Sequence, residues 1–143
     1  MEKKKKHAGF KTEKEFVEYL CLNSDKWVKD FFNEEVDKIL INHCLYFRKF
    51  GPNKPRIDLI IKTKSGKTIG IECKNPTFSF HETSRAISQL LAYGILAEEA
   101  GNPFDILALI TSDKHDIGWK IVKKYNLPIR LFYISKSVHG EMK

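Results

Sequence analysis

Residues 56–76 contain two acidic side chains and a lysine in two neighbouring apolar runs, and the types and spacing of these three residues could support chemistry. Asp58 lies in one apolar run, and Glu72 and Lys74 lie near the end of a second. A polar turn at residues 64–66 separates the two runs, which is typical of a β-hairpin. Two carboxylates on facing strands could bind one hard cation, and without a cation they would repel each other. The segment therefore indicates a metal site with a lysine beside it.

The register of this hairpin decides whether Asp58 faces Glu72. A two-residue turn at Ser65-Gly66 would place Asp58 opposite Cys73, on the other face, because a slip of one residue moves every side chain across the sheet. A three-residue loop with Gly66 in the left-handed conformation would pair Asp58 with Glu72. We predict the three-residue loop, because glycine stands where a positive φ is needed and the other register leaves carboxylates on both faces of a buried hairpin.

The composition bounds the class of protein. The chain has 143 residues, the length of one domain, and a formal net charge of +7, which favours a polyanionic partner. Its three cysteines show no C-x-x-C spacing, so an intracellular, cytoplasmic setting is predicted rather than a disulfide framework or a zinc knuckle. No apolar run reaches the ~18 residues of a membrane span.

We predict a single domain over residues 1–143 with no membrane partner. Residues 1–8 are predicted to be a disordered basic tail that either solubilises the chain or contacts phosphates.

The rest of the chain must supply the elements that position the hairpin. Helical spacing of apolar residues, short alternating runs and Gly or Pro breaks predict these elements. Before the hairpin we predict a helix after Gly9, a helix or a helix and loop over residues 25–41, and a strand at 43–50. After the hairpin we predict a long helix ending at Gly101-Asn102-Pro103 and a buried parallel strand at 104–110. A short helix after Asp116, a last strand at 129–134 and a loose tail complete the chain. The core stripe of the long helix is predicted to be Ala86, Ile87, Leu90, Leu91 and Ile95.

Asp58, thirteen intervening residues and then Glu72-Cys73-Lys74 at the end of a second strand resemble the signature of the PD-(D/E)XK nuclease superfamily. Ile57 departs from that pattern, since the family often has proline there, but this position is not a ligand. The resemblance implies an α/β fold with a restriction-endonuclease-like core. In that fold a mixed central sheet is flanked by helices in the order αβββαβ, here with an added helix and strand.

The resemblance also implies an activity, a cofactor and a partner. The protein would be a Mg²⁺-dependent deoxyribonuclease that hydrolyses phosphodiester bonds in DNA, with Mn²⁺ able to substitute. Asp58, Glu72 and the backbone carbonyl of Cys73 would bind the metal, and Lys74 would assist the attacking water. Cleavage within a strand and cleavage from an end are both compatible with the pattern.

Two further motifs lie on the predicted helices. Gly9 and Glu13 resemble the start of Holliday-junction-resolvase-like members, which implies that Glu13 completes or orients the metal shell and that the protein could form a homodimer. By itself, a first-turn glutamate is also favoured by the helix dipole. Gln89 and Tyr93 resemble the Gln-x-x-x-Tyr motif of RecB-like members, in which they approach the nucleic-acid strand, and Arg85 lies one turn earlier. Ordinary surface contacts of a polar helix flank are the alternative.

Basic residues cluster before the Asp58 strand. Arg48, Lys54 and Arg56 would contact phosphates or form a solvated edge. An alternative function is a nuclease-fold protein, or a subunit of a complex, that binds nucleic acid without cleaving it. That alternative predicts salt-dependent binding without metal-dependent cleavage. The sequence leaves open the shape of the DNA substrate and whether the gene belongs to a cell, a virus or a mobile element.

Overall fold

The fold is described by a computed structural model over residues 10–45, 55–75, 80–114, 117–135 and 139–142. These residues form a mixed α/β protein in which helices flank a six-stranded sheet. The elements in chain order are α1 (Glu13–Leu22), α2 (Ser24–Phe32), β1 (Val36–Cys44), β2 (Arg56–Thr63), β3 (Thr68–Lys74), α3 (Phe80–Glu99), β4 (Ile106–Thr111), α4 (Ile117–Tyr125), β5 (Arg130–Ile134) and β6 (His139–Glu141).

The strands follow one another across the sheet in the order of the chain. β1, β2 and β3 are antiparallel, β3, β4 and β5 are parallel, and β6 returns antiparallel to β5. A parallel neighbour requires a crossover, which α3 and α4 provide. The buried parallel strand predicted after the long helix is thereby confirmed as β4, and the carboxyl ends of β3, β4 and β5 lie at the same end of the sheet.

The hairpin of β2 and β3 has the register that the sequence predicts. Leu59 pairs with Ile71, and the same register runs to the loop. Gly66 has φ 97°, the left-handed conformation that the three-residue loop requires. Extended by one position, this register places Asp58 opposite Glu72. The three-residue loop is therefore confirmed.

Two apolar layers cover the two faces of the sheet. The first, here the α1/α2 layer, packs both N-terminal helices on β2 to β5 and includes Phe16, Leu20, Trp27, Phe31, Phe32, Leu59, Ile61, Ile69, Ile71, Cys73, Ile110 and Phe132. The second, here the α3/α4 layer, includes Ile57, Ile60, Ala86, Ile87, Leu90, Tyr93, Leu109, Ile129 and Leu131. Alternate residues of β4 thus serve opposite layers, since Ala108 and Ile110 belong to the α1/α2 layer and Leu109 to the α3/α4 layer, as strand geometry demands.

The predicted strand at residues 43–50 is wrong in position. The strand is β1, Val36–Cys44, and residues 46–50 lie outside the described part of the chain. Residues 25–41 accordingly divide between α2 and β1 instead of remaining helix and loop. β1 is an edge strand with a register shift between Val36 and Lys38 and a positive φ at Asn42, so its side chains do not alternate cleanly between polar and apolar. Without that alternation the sequence carries little strand signal.

The predicted loose tail is also wrong, because residues 139–141 form β6. Arg130 Nε and Nη2 donate to the Glu141 carboxylate at 2.9 and 3.0 Å, and His139 Nε2 lies 3.0 Å from Asp30 Oδ2. A bidentate arginine–carboxylate pair holds a strand of three residues that would not be stable alone.

The long helix α3 differs from its predicted core stripe at one position. Ile95 is 57% exposed, whereas Tyr93 is only 8% exposed and packs beside Leu90. The break at its end is confirmed, since Gly101 has φ 85°. Among the helices of the described segments, none is long and apolar enough to cross a membrane.

Candidate functional site

The carboxylates of Asp58 and Glu72 meet where β2 and β3 stop pairing through their backbones. The backbone N–H of Asp58 donates to Glu72 Oε1 at 3.0 Å, and the N–H of Cys73 donates to Asp58 Oδ2 at 2.9 Å. Regular ladder pairing begins at the next pair, Leu59 with Ile71. Each carboxylate is therefore held by an amide of the opposite strand and is fixed in position without help from a flexible partner.

Strand β2 is irregular at Asp58. Ile57 packs in the α3/α4 layer whereas Leu59 packs in the α1/α2 layer, so the alternation of side chains is interrupted between them. In the register with β1, Asp58 lies opposite Asn42, which has φ 51°. Arg56 Nη1 donates to the Asn42 carbonyl at 2.9 Å and supports this irregular pair. Such interruptions redirect a side chain and are frequent beside active sites.

Ionisation of both carboxyl groups at once is unfavourable, because each is buried and close to the other. Burial, followed by the charge of Asp58, raises the pKa of Glu72 to about 8. Burial also raises the pKa of Asp58, although the Cys73 amide, Lys74 and a hydrogen bond with the Glu72 side chain oppose the rise. Near neutral pH the metal-free pair therefore shares a proton.

Replacing Glu72 by glutamine should stabilise the metal-free protein at alkaline pH. Between pH 4.5 and about 8 the folded chain keeps a proton on Glu72 that the unfolded chain releases, so the free energy of unfolding falls as pH rises through this window. Glutamine does not ionise, so the variant avoids the cost of burying a negative charge at this position. In a chelator at pH 9 we expect Glu72→Gln to raise the Tm by about 5 °C or more, and the gain to disappear near pH 4. Glu99→Gln, on an exposed position of α3, is the control. A Glu72→Gln variant that is less stable than wild type at pH 9 would contradict the buried pair.

Lys74 and Cys73 occupy opposite faces at the end of β3. The Cys73 thiol is fully buried, which raises its pKa well above the ordinary value, so the sulfur is not available as a thiolate ligand. Its N–H and carbonyl point towards β2, on the side where the carboxylates meet. Lys74 is half-buried two residues after Glu72 on the same face of β3, and its charge lowers the pKa of both Asp58 and Glu72.

Glu13 is the first residue of α1 and lies at the rim of the pair. Thr12 caps the helix by accepting the N–H of Glu15, which fixes where the helix begins. The pKa of Glu13 is raised by partial burial and by Asp58, and is lowered by Lys74. Within the described residues, no three His, Cys, Asp or Glu side chains converge as a preformed metal cluster. Glu13 is therefore within electrostatic reach of the two acids but does not join them as a third member.

The residues of the predicted Gln-x-x-x-Tyr motif differ in their exposure on α3. Tyr93 is buried, and burial together with the charges of Glu72 and Asp58 raises its pKa to about 12. Its hydroxyl therefore lies near the acids and stays protonated. Gln89 is half-buried one turn earlier, and Arg85 is exposed a turn before that. Exposure on α3 thus increases from Tyr93, which is within electrostatic reach of the acids, to Gln89 and then Arg85.

The predicted basic cluster is only partly described. Arg56 is exposed and is bound to the Asn42 carbonyl. Arg48 and Lys54 lie outside the described residues, as does the basic tail. Arg56 could contact a phosphate with its remaining donors.

Asn75 is a positioning residue that the sequence did not single out. Its Nδ2 donates to the Phe10 carbonyl at 3.2 Å, and its Oδ1 accepts from Ser112 Oγ at 2.9 Å. The Ser112 N–H in turn donates to the Lys74 carbonyl at 3.0 Å. Asn75 thereby joins the segment before α1 to the ends of β3 and β4. Its only sequence signal is that it lies between Lys74 and Pro76.

No protein-family model matches the chain, and no curated protein is significantly similar to it in sequence. The geometry of the acids, Lys74 and Tyr93 is therefore the basis on which a function is inferred.

Proposed function

We propose that the protein is a metal-dependent nuclease of the PD-(D/E)XK type, with a restriction-endonuclease-like fold, that hydrolyses phosphodiester bonds in DNA. One observation carries the proposal. Asp58 and Glu72 meet at the end of a hairpin, each fixed by an amide of the opposite strand, with Lys74 beside them. The order of helices and strands around this hairpin is compatible with the same class.

The donor set fits Mg²⁺ or Mn²⁺. Both acids offer oxygen atoms, the ligands that hard cations prefer, and the Cys73 carbonyl lies on the same side. Burial raises the pKa of both Asp58 and Glu72 in the metal-free protein, and a bound cation would neutralise both charges. A bound divalent ion would supply polarisation of the scissile phosphate and a water molecule of lowered pKa.

The side chains around the acids have distinct roles in this proposal. Lys74 orients the attacking water through its ammonium group, and it offsets the charge that develops on the phosphate oxygens. Tyr93 keeps its proton because its pKa is raised to about 12, so its hydroxyl donates a hydrogen bond to the DNA strand. Gln89 extends that contact, and Glu13 orients the outer part of the metal shell.

A cleavage assay with Asp58→Asn tests the proposal. Wild-type protein is incubated with junction, flap, duplex and single-stranded DNA in Mg²⁺, in Mn²⁺ and in a chelator, and Mn²⁺ binding is followed by calorimetry. We expect cleavage only with a divalent ion, and we expect Asp58→Asn to lose both cleavage and the heat of Mn²⁺ binding. Asparagine keeps the shape and an acceptor for the Cys73 amide, so folding should persist.

Asp37→Asn is the matched control, because Asp37 is exposed on β1 and should leave both readouts unchanged. Salt-dependent DNA binding without cleavage in any metal would instead favour the non-catalytic binding protein. Undiminished cleavage by Asp58→Asn would contradict the assignment of the site.

A further inference from the structure

A groove of ≈ 660 Å³ lies between α1 and the edge strand β1 and reaches Asp58. This volume is within the ~300–1,000 Å³ that is usual for small-molecule sites. One side is formed by α1 and the other by Ile41 and Asn42 of β1. The groove therefore begins at the candidate metal site and continues away from it along the helix.

The groove changes in character along its length. Residues Glu13, Val17 and Cys21 line it at intervals of four, which places them in one row along α1. The row begins with a carboxylate beside Asp58 and becomes apolar by its second turn. Leu22, at the end of α1 away from Glu13, is 86% exposed, and Ile41, next to Asn42 on β1, is 58% exposed, an unusual exposure for two apolar side chains that line one groove.

We propose that this groove binds the base of an unpaired nucleotide adjoining the scissile phosphate, so that the substrate is single-stranded or locally unpaired DNA. This inference rests on the proposed nuclease function and names its substrate class. A nucleotide has the same polarity as the groove, because its phosphate would lie with the cation at Asp58 and its base would lie against Val17, Leu22 and Ile41.

The charges along the groove favour a base over the sugar-phosphate backbone. Glu13 and Glu18 line it with a single lysine, Lys14, so further phosphates would be repelled from its interior. A base is neutral, and Glu18 and Asn42 can bond to its polar edge. A base in a duplex would have to leave its stack to enter, whereas an unpaired base enters without that cost.

A second copy of the chain is the competing occupant, since Leu22 and Ile41 lie beside β1, which is an edge strand of the sheet formed by the described residues. A copy would cover the apolar end of the groove through contacts that do not depend on DNA. The two occupants therefore differ in their response to DNA and to protein concentration.

A double-mutant cycle between groove and base tests the proposal. The Lys74→Met background prevents cleavage, and affinity for a short fluorescent single strand is measured in Mg²⁺ by anisotropy. An abasic nucleotide is moved stepwise along the strand, with and without Leu22→Ser/Ile41→Thr. Ile95→Thr/Tyr125→Ser is the matched control, because its two side chains are 57% and 64% exposed elsewhere. All four positions are exposed, so the folds should persist.

We expect one or two abasic positions to weaken binding to the unmodified groove by about tenfold. Leu22→Ser/Ile41→Thr should weaken binding of the intact strand by a similar factor and remove the effect of the abasic position. The control should retain both. Equal sensitivity to the abasic position in the groove variant and the control would overturn the proposal. A wild-type dimer in light scattering that becomes a monomer in the Leu22→Ser/Ile41→Thr variant would also overturn it. If wild-type protein cleaves nothing while the cycle holds, the nuclease function fails and the base site stands.

Discussion

Lys74→Met should lower the rate of DNA cleavage by about 10²- to 10⁴-fold while leaving Mn²⁺ binding intact. The charge of Lys74 lowers the pKa of both Asp58 and Glu72, and in the proposed reaction the ammonium orients the attacking water and offsets the charge that develops on the phosphate. Methionine keeps the aliphatic part of the side chain and removes only the charge and its donors. The loss should therefore appear in the chemical step.

Single-turnover cleavage and calorimetry on the same preparations separate chemistry from metal affinity. Lys62→Met is the matched control, because Lys62 is also a half-buried strand lysine, at the other end of the same hairpin. It should cleave at the wild-type rate. A Lys74→Met protein that cleaves as fast as Lys62→Met would remove the lysine from the mechanism. Loss of Mn²⁺ binding together with cleavage would show that the lysine acts by shaping the metal site.

Phe132→Ala should lower the free energy of unfolding by about 3–5 kcal/mol, the largest effect on stability that we expect from one substitution. Phe132 is 1% exposed on β5. Its ring stacks on Phe31 with centroids 4.3 Å apart and meets Phe32 edge-on at 5.0 Å. The Arg130 guanidinium lies 5.1 Å from the Phe132 ring centroid. Alanine would leave a cavity and remove the aromatic contacts that join α2 to β5.

Thermal unfolding should show a Tm lower by about 10 °C or more. Phe132→Leu, which fills part of the space, should lose less than half as much. Tyr125→Ala removes an aromatic side chain that is 64% exposed and should change stability by no more than ~0.5 kcal/mol. Equal losses for Phe132→Ala and Tyr125→Ala would contradict the packing of the α1/α2 layer.

The hairpin shows how far local sequence can determine a site. Gly66 requires a positive φ in the three-residue loop, and this single requirement sets the register over the whole hairpin. Asp58 and Glu72 were thereby predicted to lie opposite each other. The buried strand β4 and the turn at Gly101 were similarly readable, because continuous apolar runs and glycine at a helix end are strong local signals.

The edges of the sheet were not readable in the same way. β1 was placed too late in the chain and β6 was missed. An edge strand has one neighbour and partial burial, so selection for alternating apolar residues is weak. β6 is held by the contacts of Arg130 with Glu141 and of His139 with Asp30, which join residues remote in the chain.

The sequence by itself determined the hairpin, its register and therefore the opposition of Asp58 and Glu72, since these depend on residues close together in the chain. Only the tertiary structure decided how Glu13 approaches those acids, how Asn75 joins Phe10 to Ser112, and where α1 leaves a groove beside β1. It also decided the pKa of Glu72, because burial is the largest cause of that shift. Contacts and burial of this kind depend on how separate elements pack, and no local spacing in the sequence encodes them.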